Sequence, residues 1–382
     1  MNTVVFLLAA VIFVLVSWFV YRNYPAAWRQ NNLFRKVLYL YHVIGLTCLI
    51  MIFTPLFRRI PYENIRYELS RVGTFYYIPL LLMALQYLVL HIYTRTYQFI
   101  LKYTGREMSR RAKKHLIDRQ FFAVLFGAVS FGICILGYFN IDFIQLQTYE
   151  VKAAAKSSEK ELTICLVSDV HAGAGTWEYT YDDMQEIIDA CNADVLLLDG
   201  DIFDETTNGK DMDNFFWVLE TIRKPRYGIF YVSGNHDEPS VADEMAKRNI
   251  TVLDGDMAVI GGDIQLIGVA DGKHSETEIR RLFDELQPDP DKPIITMIHR
   301  PIQFSTLSSL GSDLAVSGHT HGFNAIQFLG TPLFGDMFCG ITNYGDMTAI
   351  TTSGVSAWGY HYKWPAQSEI VKIHMTFDQA GN

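Results

Sequence analysis

LTICLVSDVH (residues 162–171) is an apolar run that ends in a carboxylate and an imidazole two positions apart. Short apolar runs bounded by turn residues read as buried strands. The pattern returns in VLLLDGD (195–201), GIFYVSGN (228–235), IQLIGVAD (264–271), PIITMIH (293–299) and LAVSGH (314–319). Helix-like stretches at 181–191, 211–222, 241–248 and 276–286 separate them, and such alternation predicts an α/β domain. Ligands in open α/β sheets gather outside the carboxyl ends of the strands. Here those ends carry Asp169 and His171, then Asp201 and Asp204, then Asn235, His236 and Asp237, then His299, then His319 and His321. In extended chain, residues i and i+2 face the same way, so Asp169 with His171 and His319 with His321 can each aim two donors into one pocket. Gly200, Gly234 and Gly318 precede these residues where the backbone is expected to turn sharply.

Working outward, the chain divides by charge. Up to Lys160 it holds 19 basic and 7 acidic residues, and after it 13 and 34, giving nets of +12 and −21. An acidic C-terminal part argues against nucleic acid as a partner, since phosphate backbones need a basic face. The five cysteines form no CxxC pair, and no disulfide framework is expected.

The first part reads as a membrane domain, residues 1–141, with four apolar runs at 3–21, 37–57, 72–93 and 120–141. No Lys or Arg precedes Arg22, so the first run is expected to remain attached rather than be cleaved as a signal peptide. Twelve basic residues fall in the first and third loops, against four in the second (Arg58, Arg59, Arg66, Arg71) and Lys152, Lys156 and Lys160 after the fourth run. The positive-inside rule then predicts a multi-pass protein of a bacterial cell membrane whose C-terminal domain is extracytoplasmic. With no carboxylate inside the spans, a transport role is disfavoured. Residues 142–160 read as a linker and 161–382 as the second domain.

DVH (169–171), GDIFD (200–204), GNHD (234–237), IHRP (298–301) and GHTH (318–321), in this order, resemble the calcineurin-like metallophosphoesterase family. SGHTHG and the closing WGYHYKWPAQSEIV (358–371) are most similar to its bacterial membrane-associated branch. The resemblance implies a four-layer αββα sandwich holding two divalent transition-metal ions. Asp169, His171 and His321 would hold one ion, Asn235, His299 and His319 the other, and Asp201 would bridge them. Mixed carboxylate, amide and imidazole donors suit Mn, Fe, Zn or Ni. A metal-activated hydroxide would attack phosphorus, His236 would protonate the leaving oxygen or stabilise the equatorial charge, and Asp204 would hold its ring. Arg300 and Phe323 are candidate substrate contacts, although Gly322-Phe323-Asn324 departs from the Gly-Gly-Gln common in that branch. Trp177, Phe203, Phe338, Trp358, Tyr360 and Trp364 could line a groove, though aromatics beside a sheet more often belong to core.

The expected function is a membrane-anchored phosphodiesterase or pyrophosphatase, with the lipid bilayer as partner and a lipid-linked or nucleotide-lipid substrate. Its rivals are an anchored nucleotide phosphodiesterase and a non-catalytic receptor or scaffold. All the ligand positions are filled, which disfavours the scaffold.

Overall fold

A computed structural model describes residues 3–52, 59–60, 63–109, 118–173, 175–322, 339–358 and 361–379. The chain separates into two units, Met1–Tyr138 and Phe139–Asn382.

The first unit contains α1 (Thr3–Asn23), the short α2 (Ala26–Gln30), α3 (Asn32–Ile52), α4 (Glu63–Tyr103) and most of α5 (Arg119–Asn140). Glu68–Tyr103 and Arg119–Asn140 are long and apolar enough to cross a membrane, and Val11–Asn23 is a shorter apolar stretch. The third run was expected to be helical over 72–93 only. The helix instead spans Glu63–Tyr103, so Arg66, Arg71, Arg95 and Lys102, expected in loops, are helical. Charge does not stop a helix, whereas glycine in the left-handed region does, and the turn after Tyr103 holds Gly105 at φ 66°. Polar side chains in this unit bond across helices: Tyr41 Oη donates to the Tyr76 backbone carbonyl at 2.7 Å and Gln86 Nε2 to Ser130 Oγ at 2.7 Å.

The second unit holds two six-stranded sheets. The first has the order β1-β12-β2-β3-β4-β5, with β1 Gln145–Ser157, β2 Glu161–Val167, β3 Val195–Asp199, β4 Ile229–Val232, β5 Thr251–Val252 and β12 Glu369–Gln379. The second has the order β10-β11-β9-β8-β7-β6, with β6 Met257–Ile260, β7 Ile264–Val269, β8 Ile294–Ile298, β9 Leu314–Ser317, β10 Gly340–Tyr344 and β11 Met347–Thr351. Both are mixed: β12 runs antiparallel to β2, while β2, β3, β4 and β5 are parallel. In the other sheet β7, β8, β9 and β11 are parallel, flanked by antiparallel β6 and β10.

Strand periodicity sorts the apolar residues into three cores. Leu162, Ile164 and Leu166 of β2 meet Leu266, Ile295, Met297 and Val316 between the sheets. Cys165 and Val167 point the other way, towards α6 (Glu178–Cys191), α7 (Gly209–Thr221) and α8 (Ser240–Ala246) through Met184, Phe215 and Met245. Ile294 and Ile298 pack likewise on α9 (Glu276–Leu286) and α10 (Phe304–Ser309) through Phe283 and Phe304. The layers are therefore helix, sheet, sheet, helix, an α/β sandwich of the expected kind.

The expected linker does not exist as one. Residues 145–157 form β1, a parallel edge strand paired with β12 from Gln145↔Glu369 to Ser157↔Gln379, with a register shift between Lys152 and Lys156. Val151 and Ala153 are buried while Glu150 and Lys152 are exposed, the period-two alternation of a strand with one covered face.

Candidate metal centre

The parallel strands β2, β3, β8 and β9 deliver the candidate ligands from their carboxyl ends. Two clusters form, Asp169 with His171 and His321, and Asp201 with His299 and His319, each with its donor atoms within 4.8 Å of one another. Asp201 Oδ2 lies 3.0 Å from His299 Nε2 and 3.6 Å from His171 Nε2, which places this carboxylate between the clusters. Asn235 sits between Gly234 and His236, both of which abut Asp201, and its buried Oδ1 makes no hydrogen bond.

The ligands do not project from strands, as the i, i+2 argument supposed. Five of the seven candidates follow the strand ends in left-handed backbone: Asp169 at φ 51°, His171 at 44°, Asp201 at 52°, His319 at 71° and His321 at 50°. Such conformations are strained for non-glycine residues and collect at functional sites. Of the three glycines, only Gly200 makes a positive-φ turn, at 78°. Gly234 and Gly318 are needed for closeness instead. A Cβ at Gly318 would stand 2.1 Å from Ser168 Oγ and 2.2 Å from Asp169 Oδ2.

The imidazoles are oriented from behind. His299 Nδ1 donates to the Asp199 carbonyl at 2.7 Å, His321 Nδ1 faces the Ser356 carbonyl at 3.3 Å, and His171 Nδ1 lies 3.3 Å from Asp204 Oδ2. This backing turns each Nε2 towards the centre, as metal-binding histidines require. His171 Nε2 and His299 Nε2 are buried without an aligned hydrogen-bond partner.

The electrostatics demand positive charge. Burial pulls His299 down, yet Asp201, Asp169 and Asp199 outweigh it and hold the ring well above the ordinary histidine value. His171 is raised in the same way against its burial, chiefly by Asp204 and Asp201. Burial, then the charges of His299 and Arg300, push His319 down to about 3, and burial with His171 depresses His321, so these two are neutral donors. Orphaned nitrogens, an orphaned amide oxygen and a carboxylate excess fit two divalent cations.

His236 has a different carboxylate partner from the one expected. Its Nδ1 is 3.1 Å from Glu205 Oε2, while Asp204 turns back to His171 and accepts from Thr206 N and Oγ1, each at 2.6 Å. Burial is the largest single influence on Glu205 and raises it, but the His236 hydrogen bond and charge, a backbone hydrogen bond and the Trp358 bond together outweigh burial and draw Glu205 down to about 2. Trp358 Nε1 donates to the same oxygen at 3.2 Å, and its ring lies 5.0 Å from the His236 ring. Glu205 lies one residue beyond the GDIFD motif, and nothing in the sequence marks it. Arg300 pairs through Nε with Asp271 at 2.7 Å. Phe203 is core, packed on Phe215 and Phe216, and Trp177 and Trp364 are half-buried. Phe323, Phe338 and Tyr360 lie outside the described residues.

A double-sheet sandwich carrying two mixed carboxylate and imidazole clusters around one aspartate defines a metal-dependent phosphoester hydrolase. The chain belongs to the calcineurin-like phosphoesterases, whose family profile matches residues 162–323. It is 30% identical over 273 residues to an uncharacterised metallophosphoesterase of Helicobacter pylori, covering 65% of this chain and 70% of that one. A counterpart from Campylobacter jejuni is 28% identical over 245 residues, covering 60% of this chain and 64% of that one. Among solved structures, a dimetal phosphatase from Danio rerio aligns with 58% of this chain and 100% of its own, at 12% identity and a TM-score of 0.35.

Proposed function

We propose that the protein is a membrane-anchored two-metal phosphoesterase that hydrolyses a phosphodiester or pyrophosphate bond in a lipid-linked or nucleotide-lipid substrate. The observation that carries the reading is the pair of clusters meeting at Asp201 beside His236. When bound, two divalent cations supply Lewis acidity for phosphoryl oxygens and acidify water towards a nucleophile at neutral pH. Asp169, His171 and His321 would hold one ion and Asn235, His299 and His319 the other, with Asp201 placed to serve both. His236, hydrogen-bonded to Glu205 through Nδ1, presents Nε2 to the leaving oxygen and protonates it. The lipid-linked substrate is supported by the apolar helices. The runs at 3–21 and 37–57 are assigned as spans beside 68–103 and 119–140, with the second unit outside the cytoplasm by the distribution of Lys and Arg.

The test is hydrolysis by detergent-purified full-length protein of a bis-aryl phosphodiester, a lipid pyrophosphate in mixed micelles and soluble nucleotide diesters, with Mn2+ or with chelator. Metal-dependent turnover that favours the micellar substrate is expected. Faster cleavage of soluble nucleotide diesters would reassign the substrate, and no turnover at full metal occupancy would remove the enzymatic reading.

A further inference from the structure

The segment WGYHYKWPAQSEIV contains two buried groups that the proposed reaction does not use, His361 at 1% exposure and Lys363 at 2%. Lys363 Nζ donates to the carbonyls of Gly354 and Ser356, the latter at 3.0 Å. The Ser356 carbonyl also faces His321 Nδ1, the Ser356 amide donates to the Asp169 carbonyl at 2.9 Å, and the Val355 amide donates to the Ser168 carbonyl at 3.0 Å. Gly354, at φ 76°, leaves no room for a side chain, since a Cβ there would lie 2.4 Å from Asp169 Cβ. The 354–356 loop is thus the rear wall of the Asp169 and His321 site, and Lys363 is the side chain that grips its carbonyls.

Lys363 is gripped in turn from residues that precede β1. Asn140 Nδ2 donates to the Lys363 carbonyl at 3.1 Å and to the Ala366 carbonyl. Asp142 Oδ1 lies 2.7 Å from His361 Nε2 and accepts from Tyr179 Oη at 2.6 Å. His361 Nδ1 faces the Gly175 carbonyl at 3.2 Å, and Ser368 Oγ donates to the Ile141 carbonyl at 3.0 Å. Burying an ammonium group is costly unless its donors are placed. A hydrocarbon of the same length would fill this space without that cost, but could not hold two carbonyls in place.

We propose that Asn140, Asp142, His361 and Lys363 form a latch that positions Asp169 and His321 for cation binding, making the stem that leaves the last apolar helix a working part of the metal centre. These are positioning residues, acting through the 354–356 loop.

The inference rests on the metal centre assigned above, so its test reads cation binding directly. Full-length protein in detergent is titrated with Co2+, following its visible absorption band and the bound stoichiometry, for wild type, Lys363→Met, Asp142→Ala and Asp142→Asn. Outer groups that orient metal ligands contribute about 10- to 100-fold in affinity. Lys363→Met and Asp142→Ala are therefore expected to weaken one of two sites by about that factor and shift its band. Asp142→Asn keeps the accepting oxygen and should restore most of the affinity. Wild-type binding in both Lys363→Met and Asp142→Ala overturns the latch, as does equal weakening of both sites. A wild type that binds fewer than two ions overturns the metal centre itself. Should Lys363→Met fail to fold, Asp142→Ala, whose side chain is 19% exposed, decides the matter.

Discussion

Replacing Glu205 by Gln tests which acid serves His236. The amide keeps the shape and one acceptor for His236 Nδ1 but removes the charge that steadies the protonated ring. A hydrogen bond to a charged group contributes about 1.5–3 kcal/mol, and about 1.36 kcal/mol is tenfold in rate. His236 and Glu205 retain 23% and 29% side-chain exposure, so solvent screening places the effect at the lower end, about tenfold in kcat. The loss should appear only where the leaving group needs a proton. The assay is kcat on an alkyl phosphoester, whose alkoxide leaves poorly, beside a nitrophenyl ester, whose phenolate leaves unaided. Glu205→Gln is expected to slow the first about tenfold and leave the second nearly unchanged. Asp204→Asn, which touches His171 rather than His236, should instead raise the metal concentration needed for half-activity. Equal losses on both esters for Glu205→Gln, or the leaving-group effect appearing in Asp204→Asn, would refute the assignment.

Stripped of cations, the protein should lose stability as pH rises beyond the ordinary histidine value of about 6.5. His171 and His299 are held above the ordinary value, so their contribution is complete below the unfolded value and fades as pH climbs through the folded ones. His319 and His321, held below it, contribute a rise whose slope has fallen to about half at that value and ends about one pH unit above it, after which the loss alone remains. Saturating Mn2+ should remove the slope, because the cations replace the protons; thermal unfolding with and without chelator measures it, and a rising slope in chelator would contradict the sign. Gly318→Ala should displace Asp169 and lower the bound metal, measured by elemental analysis, while two ions per chain in this variant would show that the close approach is dispensable. Leu166→Ala, at 0% exposure between the sheets, should cost about 2–5 kcal/mol in denaturant unfolding of the full chain, and a loss under about 1 kcal/mol would mean that the site collapses.

The amino-acid sequence by itself determined the two-part character of the chain, six of the core strands and the candidate donors that follow their ends. These are local properties. Leu162, Ile164 and Leu166 alternate with Cys165 and Val167 wherever the strand lies, and a strand that ends in Asp169 brings that carboxylate to the sheet's edge. Direction past the strand end is not local. Asp204 and Glu205 are neighbours in the chain, yet one turns to His171 and the other to His236, because the loop after β3 is folded against Thr206 and Thr207. Residues 145–157 likewise became β1 only because β12, more than two hundred residues later, offered an edge with matching register. The grip of Asn140 and Asp142 on residues 361–363 joins segments equally remote in sequence. Side-chain chemistry and periodicity were legible in the chain itself, whereas partner choice among adjacent acids and the pairing of distant segments depend on packing that only the folded structure defines.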